Sequence, residues 1–121
     1  DDAGYPILQY GWGQFWVNNH AHILTGRKGF SVESLLLLFK RTPVKSIVTG
    51  AVQPKISQAN LKSIPIVIPS LQEMQAFNNS IQPLFDQIRQ NQDQNKVLAS
   101  LRDALLPKLM SGEIDVSSVT L

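Results

Sequence analysis

The sequence of 121 residues contains no cysteine, so disulfide bonds and thiolate metal ligands are both excluded. It has no long apolar run either, because the longest ones, at residues 35–39 and 64–69, are far too short to span a bilayer. The chain opens at Asp1 without an initiator Met or a basic signal region. These absences predict a cytoplasmic protein with no membrane segment and no export signal. The opening also suggests a fragment, or a coding sequence that has lost its start.

Acidic side chains are scarce in the first half, where Glu33 is the only carboxylate between residues 3 and 72. That leaves too few carboxylates for a glycosidase pair or a two-metal nuclease. The sequence also lacks a nucleophile elbow, a G-x-G-x-x-G loop and a complete phosphate-binding loop. His20 and His22 would share one face of a strand, but zinc needs three or four ligands and no others are near. We therefore expect no enzyme activity, no metal and no cofactor.

The charge is divided unevenly along the chain. Residues 1–69 hold seven basic and three acidic residues, a net charge of +4, whereas residues 70–121 hold four basic and six acidic residues, a net charge of −2. A basic first part predicts an anionic partner, of which nucleic acid is the commonest. The alternative is a solvated basic face with no partner.

The pattern of turn residues and apolar residues predicts an α+β fold. A small mixed α/β head at residues 1–69 precedes a long C-terminal helical, coiled-coil-like arm at residues 70–112 and a tail at residues 113–121. Within the head we predict a hairpin of strands 14–17 and 20–24, a basic loop at 25–29, a helix from Val32 to Lys40 capped by Ser31, a strand at 44–48, a turn or single helical turn at 57–61 and an edge strand at 64–68.

The arm begins with a capping box, in which Ser70 and Glu73 can each bond the other's backbone amide. Apolar residues then recur in steps of three and four as far as Leu105, and Gly112 can end the helix in the left-handed conformation. Pro83 removes one backbone donor, so we predict a short helix at 71–81, a bend, and a second helix that has Pro83 in its first turn. Pro107 similarly threatens the last turn.

A heptad pattern places two asparagines of the polar middle at the seam of this arm, where buried amides would fix the register and orientation of a paired helix. This helix is longer than a domain of this size needs for its own core. Such a helix usually pairs with a partner. The alternative is a solvated span between two packed ends. The residues predicted to pair are Ile81, Leu84, Ile88, Asn91, Asn95, Leu98, Leu101 and Leu105.

Three segments resemble the specificity subunits of Type I restriction–modification systems. They are residues 15–24 (FWVNNHAHIL), residues 49–56 and 60–66 (TGAVQPKI and NLKSIPI), and residues 68–73 (IPSLQE), which lead into a helix that ends in residues 105–114 (LLPKLMSGEI). In the family this helix is the conserved spacer. Met74 stands where the family commonly has Gln, and fewer residues precede Ser70 than in a complete target recognition domain. The chain thus resembles the C-terminal part of a half-subunit.

The resemblance implies a non-catalytic subunit that reads a bipartite sequence in double-stranded DNA. Methyltransferase subunits, and through them the restriction subunit, would dock on it, and antiparallel spacer helices would set the distance between half-sites. A half-subunit would form a homodimer through its C-terminal helix. The alternatives are a protein-interaction module with a dimerising arm and no DNA binding, or an inert remnant.

Arg27, Lys28 and Lys55 are predicted to contact DNA, because basic side chains attract phosphates and can pair with guanine. Gln53 could bond adenine, and Asn18, Asn19 and His20 are further candidates. Each of these residues could instead be a solvated loop residue.

Overall fold

The computed structural model describes residues 1–50 and 54–119. Its helices are α1 (Val32–Lys40), a 3-10 helix (Lys45–Ile47), α2 (Gln58–Lys62) and α3 (Leu71–Met110). The chain divides into two compact units, Asp1–Gln82 and Pro83–Leu121. The described part of the chain contains no helix with the length and hydrophobicity needed to cross a membrane.

Helix α1 has the predicted bounds, and its cap explains why. The Ser31 side chain accepts a hydrogen bond from the Ser34 amide at 3.1 Å, which satisfies a donor at the helix start. Phe39, Glu33 and Ser34 of this helix are buried. The predicted helical turn at 57–61 is confirmed as α2, where the Ser57 side chain accepts from the Asn60 amide at 3.1 Å.

The predicted strands do not form among the described residues. Segments 14–17, 20–24 and 64–68 lie in irregular backbone, and most of segment 44–48 is the 3-10 helix instead. A single antiparallel bridge joins Thr49 to Lys55. An alternating pattern shows that a segment could serve as a strand, but a strand also needs a partner with which to exchange hydrogen bonds. Here the head is mostly helical and irregular, so the strands expected at these four segments are wrong for this chain.

The core of the first unit is small. Its buried apolar side chains are Phe39, Val44, Met74 and Ile81. Val44 is also tied through its backbone, because its amide donates to the Gly4 carbonyl at 2.8 Å. Several large apolar side chains of the same unit stay almost fully exposed, among them Ile7, Trp16 and Val67.

The capping box at the start of α3 is confirmed. The Ser70 amide and hydroxyl donate to the Glu73 carboxylate at 2.9 Å and 2.7 Å, and the Glu73 amide donates to the Ser70 hydroxyl at 3.3 Å. These bonds, first the one from the Ser70 hydroxyl and then the one from its amide, lower the pKa of Glu73 below its ordinary value.

The prediction of two helices around Pro83 is wrong, because α3 is one helix of 40 residues that contains both Pro83 and Pro107. Pro83 leaves the Asn79 carbonyl without its usual amide donor. Both residues are exposed, so water can bond to that carbonyl and the cost of the missing donor is reduced. At the C-terminal end Gly112 has a φ of 76° and its amide donates to the Leu109 carbonyl at 3.3 Å, as expected for a left-handed cap.

Candidate nucleic-acid interface

The predicted basic loop contains a tight turn at residues 27–30, which we call the basic turn. The Phe30 amide donates to the Arg27 carbonyl at 3.1 Å. The two central residues both have positive φ, 53° at Lys28 and 87° at Gly29, as in a type I′ turn. Lysine rarely adopts such a φ, so the surrounding contacts must hold it there. The Arg27 and Lys28 side chains are exposed.

Two glycines allow the basic turn to form and to pack. A Cβ atom on Gly26 would collide with the Phe30 carbonyl oxygen, so only glycine permits this close approach of the backbone. Gly29 lies against the start of α3, where a Cβ atom would be 3.4 Å from Leu71 Cδ1 and 3.5 Å from Met74 Cβ. The Gly29 carbonyl also accepts a hydrogen bond from the Asn78 side chain at 2.8 Å. The basic turn thus packs against the first turns of α3.

An open cleft of about 200 Å³ lies beside the basic turn. It is lined by Thr25, Arg27, Lys28, Phe30, Leu35, Ile66 and Ile68. Its wall is therefore cationic on the side of the turn and mostly apolar elsewhere. A surface of this kind suits an anionic group attached to a partly apolar body.

The other predicted DNA contacts lie on two further segments, one that carries Asn18, Asn19 and His20 and one that carries Lys55. Asn18 forms the expected turn, in which its side chain accepts from the His20 amide at 3.0 Å and its carbonyl accepts from the Ala21 amide at 3.3 Å. A ring nitrogen of His22 lies 2.7 Å from the Ile56 carbonyl oxygen, which brings the segment after this turn to the segment that carries Lys55.

These second candidates are all accessible. Asn18, Asn19, His20 and Lys55 have exposed side chains. Gln53 lies outside the described residues. The structure therefore brings the neighbourhoods of His22 and Lys55 together, which sequence spacing did not predict.

The exposed charge of the head is positive. All seven basic residues of segment 3–69 are exposed, whereas its single acid, Glu33, is buried. The Tyr10 hydroxyl donates to Glu33 Oε1 at 2.7 Å, so this carboxylate is held in the interior. Sequence spacing did not predict this arrangement; the available signal was the position of Glu33 in the first turn of a helix, where negative charge is favourable.

The described residues contain no group of three or more His, Cys, Asp or Glu side chains that could hold a metal ion. Exposed lysine and arginine side chains of this surface can attract anions, and its amide side chains can form hydrogen bonds.

Most of the predicted pairing residues of α3 are accessible. Ile81 is buried in the core, whereas Asn91 and Asn95 are exposed. Five apolar side chains remain between 36% and 65% exposed, and we call them the apolar stripe: Leu84, Ile88, Leu98, Leu101 and Leu105. In the polar middle, the Gln87 side chain donates to Asn91 Oδ1 at 2.8 Å along the same helix.

Comparisons with known proteins agree with the resemblance seen in the sequence. Residues 3–99 match the family described as the Type I restriction modification DNA specificity domain. The chain is 38% identical over 84 residues to the Type I restriction enzyme MjaIX specificity subunit of Methanocaldococcus jannaschii, a match that covers 69% of this chain and 19% of that protein.

It is also 31% identical over 65 residues to the Type I restriction enzyme HindI specificity subunit of Haemophilus influenzae, which covers 54% of this chain and 14% of that protein. The matches thus span less than a fifth of the length of these two relatives. No solved structure matches the chain.

Proposed function

The chain belongs to the Type I restriction modification DNA specificity domain family, and from that membership we propose that it is a non-catalytic part of a DNA-reading subunit. The observation that carries the proposal is the exposed Arg27 and Lys28 pair, held in a tight turn on α3 inside the region that matches the family. Two adjacent cations in a fixed turn can contact neighbouring phosphates of a duplex.

Double-stranded DNA is the anion that fits this surface best. Segment 3–69 of the head exposes seven cations and buries its single acid, Glu33, so a duplex that approaches this segment meets only positive charged side chains. The amides of Asn18 and Asn19 offer donors and acceptors for base edges, and Lys55 offers a further cation. Gln53 keeps its proposed role in adenine recognition.

The apolar stripe of α3 is the proposed pairing surface. A second α3, from another copy or from the second spacer of a longer subunit, would cover it in antiparallel orientation and hold two reading heads at a set distance. Asn91 and Asn95 would lie at the seam and fix the register at some cost in stability. Methyltransferase subunits, and through them the restriction subunit, are the further partners, in the cytoplasm.

The α+β head remains part of this proposal. Segments 14–17, 20–24 and 64–68 would pair as strands when residues of a longer recognition domain supply their partners. Exposed Trp16 and Val67 support this, because such side chains are usually covered in a complete domain. Slowed hydrogen exchange of residues 64–68 in a longer protein, relative to this chain, is the expected result, and equal exchange rates would contradict it.

Binding of a random-sequence duplex at several salt concentrations tests the DNA-binding role. Arg27→Ala with Lys28→Ala removes two phosphate contacts, so the slope of log affinity against log salt should fall by about 1.8. Lys40→Ala with Arg41→Ala is the matched control, since it removes the same two charges from an exposed pair at the end of α1. A slope for Arg27→Ala with Lys28→Ala that equals the slope of the unchanged chain would remove the basic turn from the interface.

The same assay discriminates the competing function. The exposed apolar side chains of the head, such as Ile7 and Trp16, would also suit a protein-binding module whose helix serves only for dimerisation. That module would show no salt-dependent affinity for duplex DNA in any of the variants.

A further inference from the structure

One direct support of the basic turn comes from Asn78. The Asn78 Nδ2 group donates to the Gly29 carbonyl oxygen at 2.8 Å, across 49 residues of sequence. Leu71, Met74 and Asn78 follow at steps of three and four, so they share one face of α3. The first two residues pack against Gly29, and the third bonds to its carbonyl oxygen.

The environment of Asn78 indicates a role other than stability. Its Oδ1 atom is buried and has no hydrogen-bond partner among the described residues. A buried acceptor without a partner costs free energy, so an apolar side chain of similar size could pack at this position without that cost. Among the described residues, the amide group gains one hydrogen bond in return, the bond to the turn. That bond fixes the position of the backbone on which Lys28 holds a φ that lysine rarely adopts.

We infer that Asn78 is a positioning residue for DNA binding, which fastens the basic turn to α3 and so fixes the direction of the Arg27 and Lys28 side chains. The inference rests on the proposed function, because it assigns a purpose to the position of those two cations. The helix that is proposed to set the distance between half-sites would then also set the position of a phosphate-binding turn.

The substitution that tests this is Asn78→Leu, with Asn79→Leu as the matched control at the exposed neighbouring position. Leucine retains much of the volume and removes the donor. Hydrogen exchange of the Phe30 amide, which closes the basic turn, should become faster in Asn78→Leu and stay unchanged in Asn79→Leu. The Leu35 amide, which donates to Ser31 at the start of α1, should exchange at the original rate in both. Equal acceleration at Leu35 and Phe30 would indicate general destabilisation and overturn the inference.

DNA affinity supplies the second readout. Asn78→Leu should weaken binding of a random-sequence duplex about twofold to tenfold, the range that one hydrogen bond between neutral groups supplies. In a chain that already carries Arg27→Ala and Lys28→Ala it should have no further effect, because the turn then has no cations to position. An equal loss in both backgrounds would overturn the positioning role.

These variants also distinguish failure of this inference from failure of the proposed function. If Arg27→Ala with Lys28→Ala leaves affinity unchanged, the proposed function fails and the DNA role of Asn78 falls with it. Hydrogen exchange at Phe30 would still report whether Asn78 holds the turn. If the double variant loses affinity and Asn78→Leu does not, the function stands and only the positioning role is refuted.

Discussion

Leu98→Asp should prevent self-association of the chain through α3. Leu98 lies in the middle of the apolar stripe and is 60% exposed. Aspartate there would put a carboxylate into the proposed seam of both copies, where it would have to be desolvated. Val97→Asp is the matched control, because Val97 is 67% exposed but lies about 100° away around the helix.

The expected strength of association follows from the exposed fractions. The five side chains of the apolar stripe together expose the equivalent of about two and a half whole side chains per copy. At roughly 2 kcal/mol for each side chain fully buried, two copies gain about 10 kcal/mol before any cost. With the low end of the cost of association, about 4 kcal/mol, the net value is about −6 kcal/mol, a dissociation constant of tens of micromolar.

Sedimentation equilibrium over a range from about 10 µM to 1 mM covers that regime. Loss of the Leu98 contribution from both copies amounts to about 2 kcal/mol or more, a weakening of at least about 30-fold. Val97→Asp should associate like the unchanged chain. The reasoning is refuted if both variants weaken association equally, or if the unchanged chain stays monomeric at about 1 mM, where a dimer of this affinity would predominate.

Two further predictions concern the basic turn and the start of α3. Gly26→Ala should destabilise the first unit by about 1–3 kcal/mol, because the added Cβ atom would collide with the Phe30 carbonyl, and thermal unfolding beside a Thr25→Ala control measures the effect. Glu73 has a lowered pKa in the folded chain, so its charge contributes stability above the unfolded value of about 4.3, which is lost as pH falls through the lower folded value. Acid unfolding of Glu73→Gln should therefore lack that part of the pH dependence, and an unchanged profile would contradict the assignment.

Local signals predicted much of the helical structure. The serine cap at Ser31, the capping box at Ser70 and the glycine at 112 each act within a few residues, so their positions can be read directly from the sequence. The effect of Pro83 on the helix was predicted wrongly, because the free energy that a proline costs in a helix depends on whether water reaches the carbonyl four residues earlier. That access is a property of the folded surface.

Other features depend on contacts between distant residues. The bond from Asn78 to Gly29 and the bond from Tyr10 to Glu33 link residues 49 and 23 positions apart, and no spacing rule predicts such pairs. The strands predicted from alternating apolar residues failed for the same reason, since a ladder needs a partner that local sequence does not specify. The sequence therefore predicted which residue types could contact DNA, but it did not predict the position of the turn that carries them.

Antiparallel pairing of α3 is the central requirement of the proposed function. Because the chain has no cysteine, single spin labels can be attached at Val97→Cys and, separately, at Met110→Cys, both at exposed positions away from the proposed seam. The distance between the two labels of a dimer is then measured by pulsed electron paramagnetic resonance.

If the helices pair antiparallel about the middle of the apolar stripe, the two labels at 110 should lie about 45 Å apart along the axis and those at 97 less than about 10 Å apart along it. A short separation at both positions would mean parallel pairing. That result, or the absence of any distance between chains at concentrations above the dissociation constant, would contradict the claim that α3 spaces two reading heads.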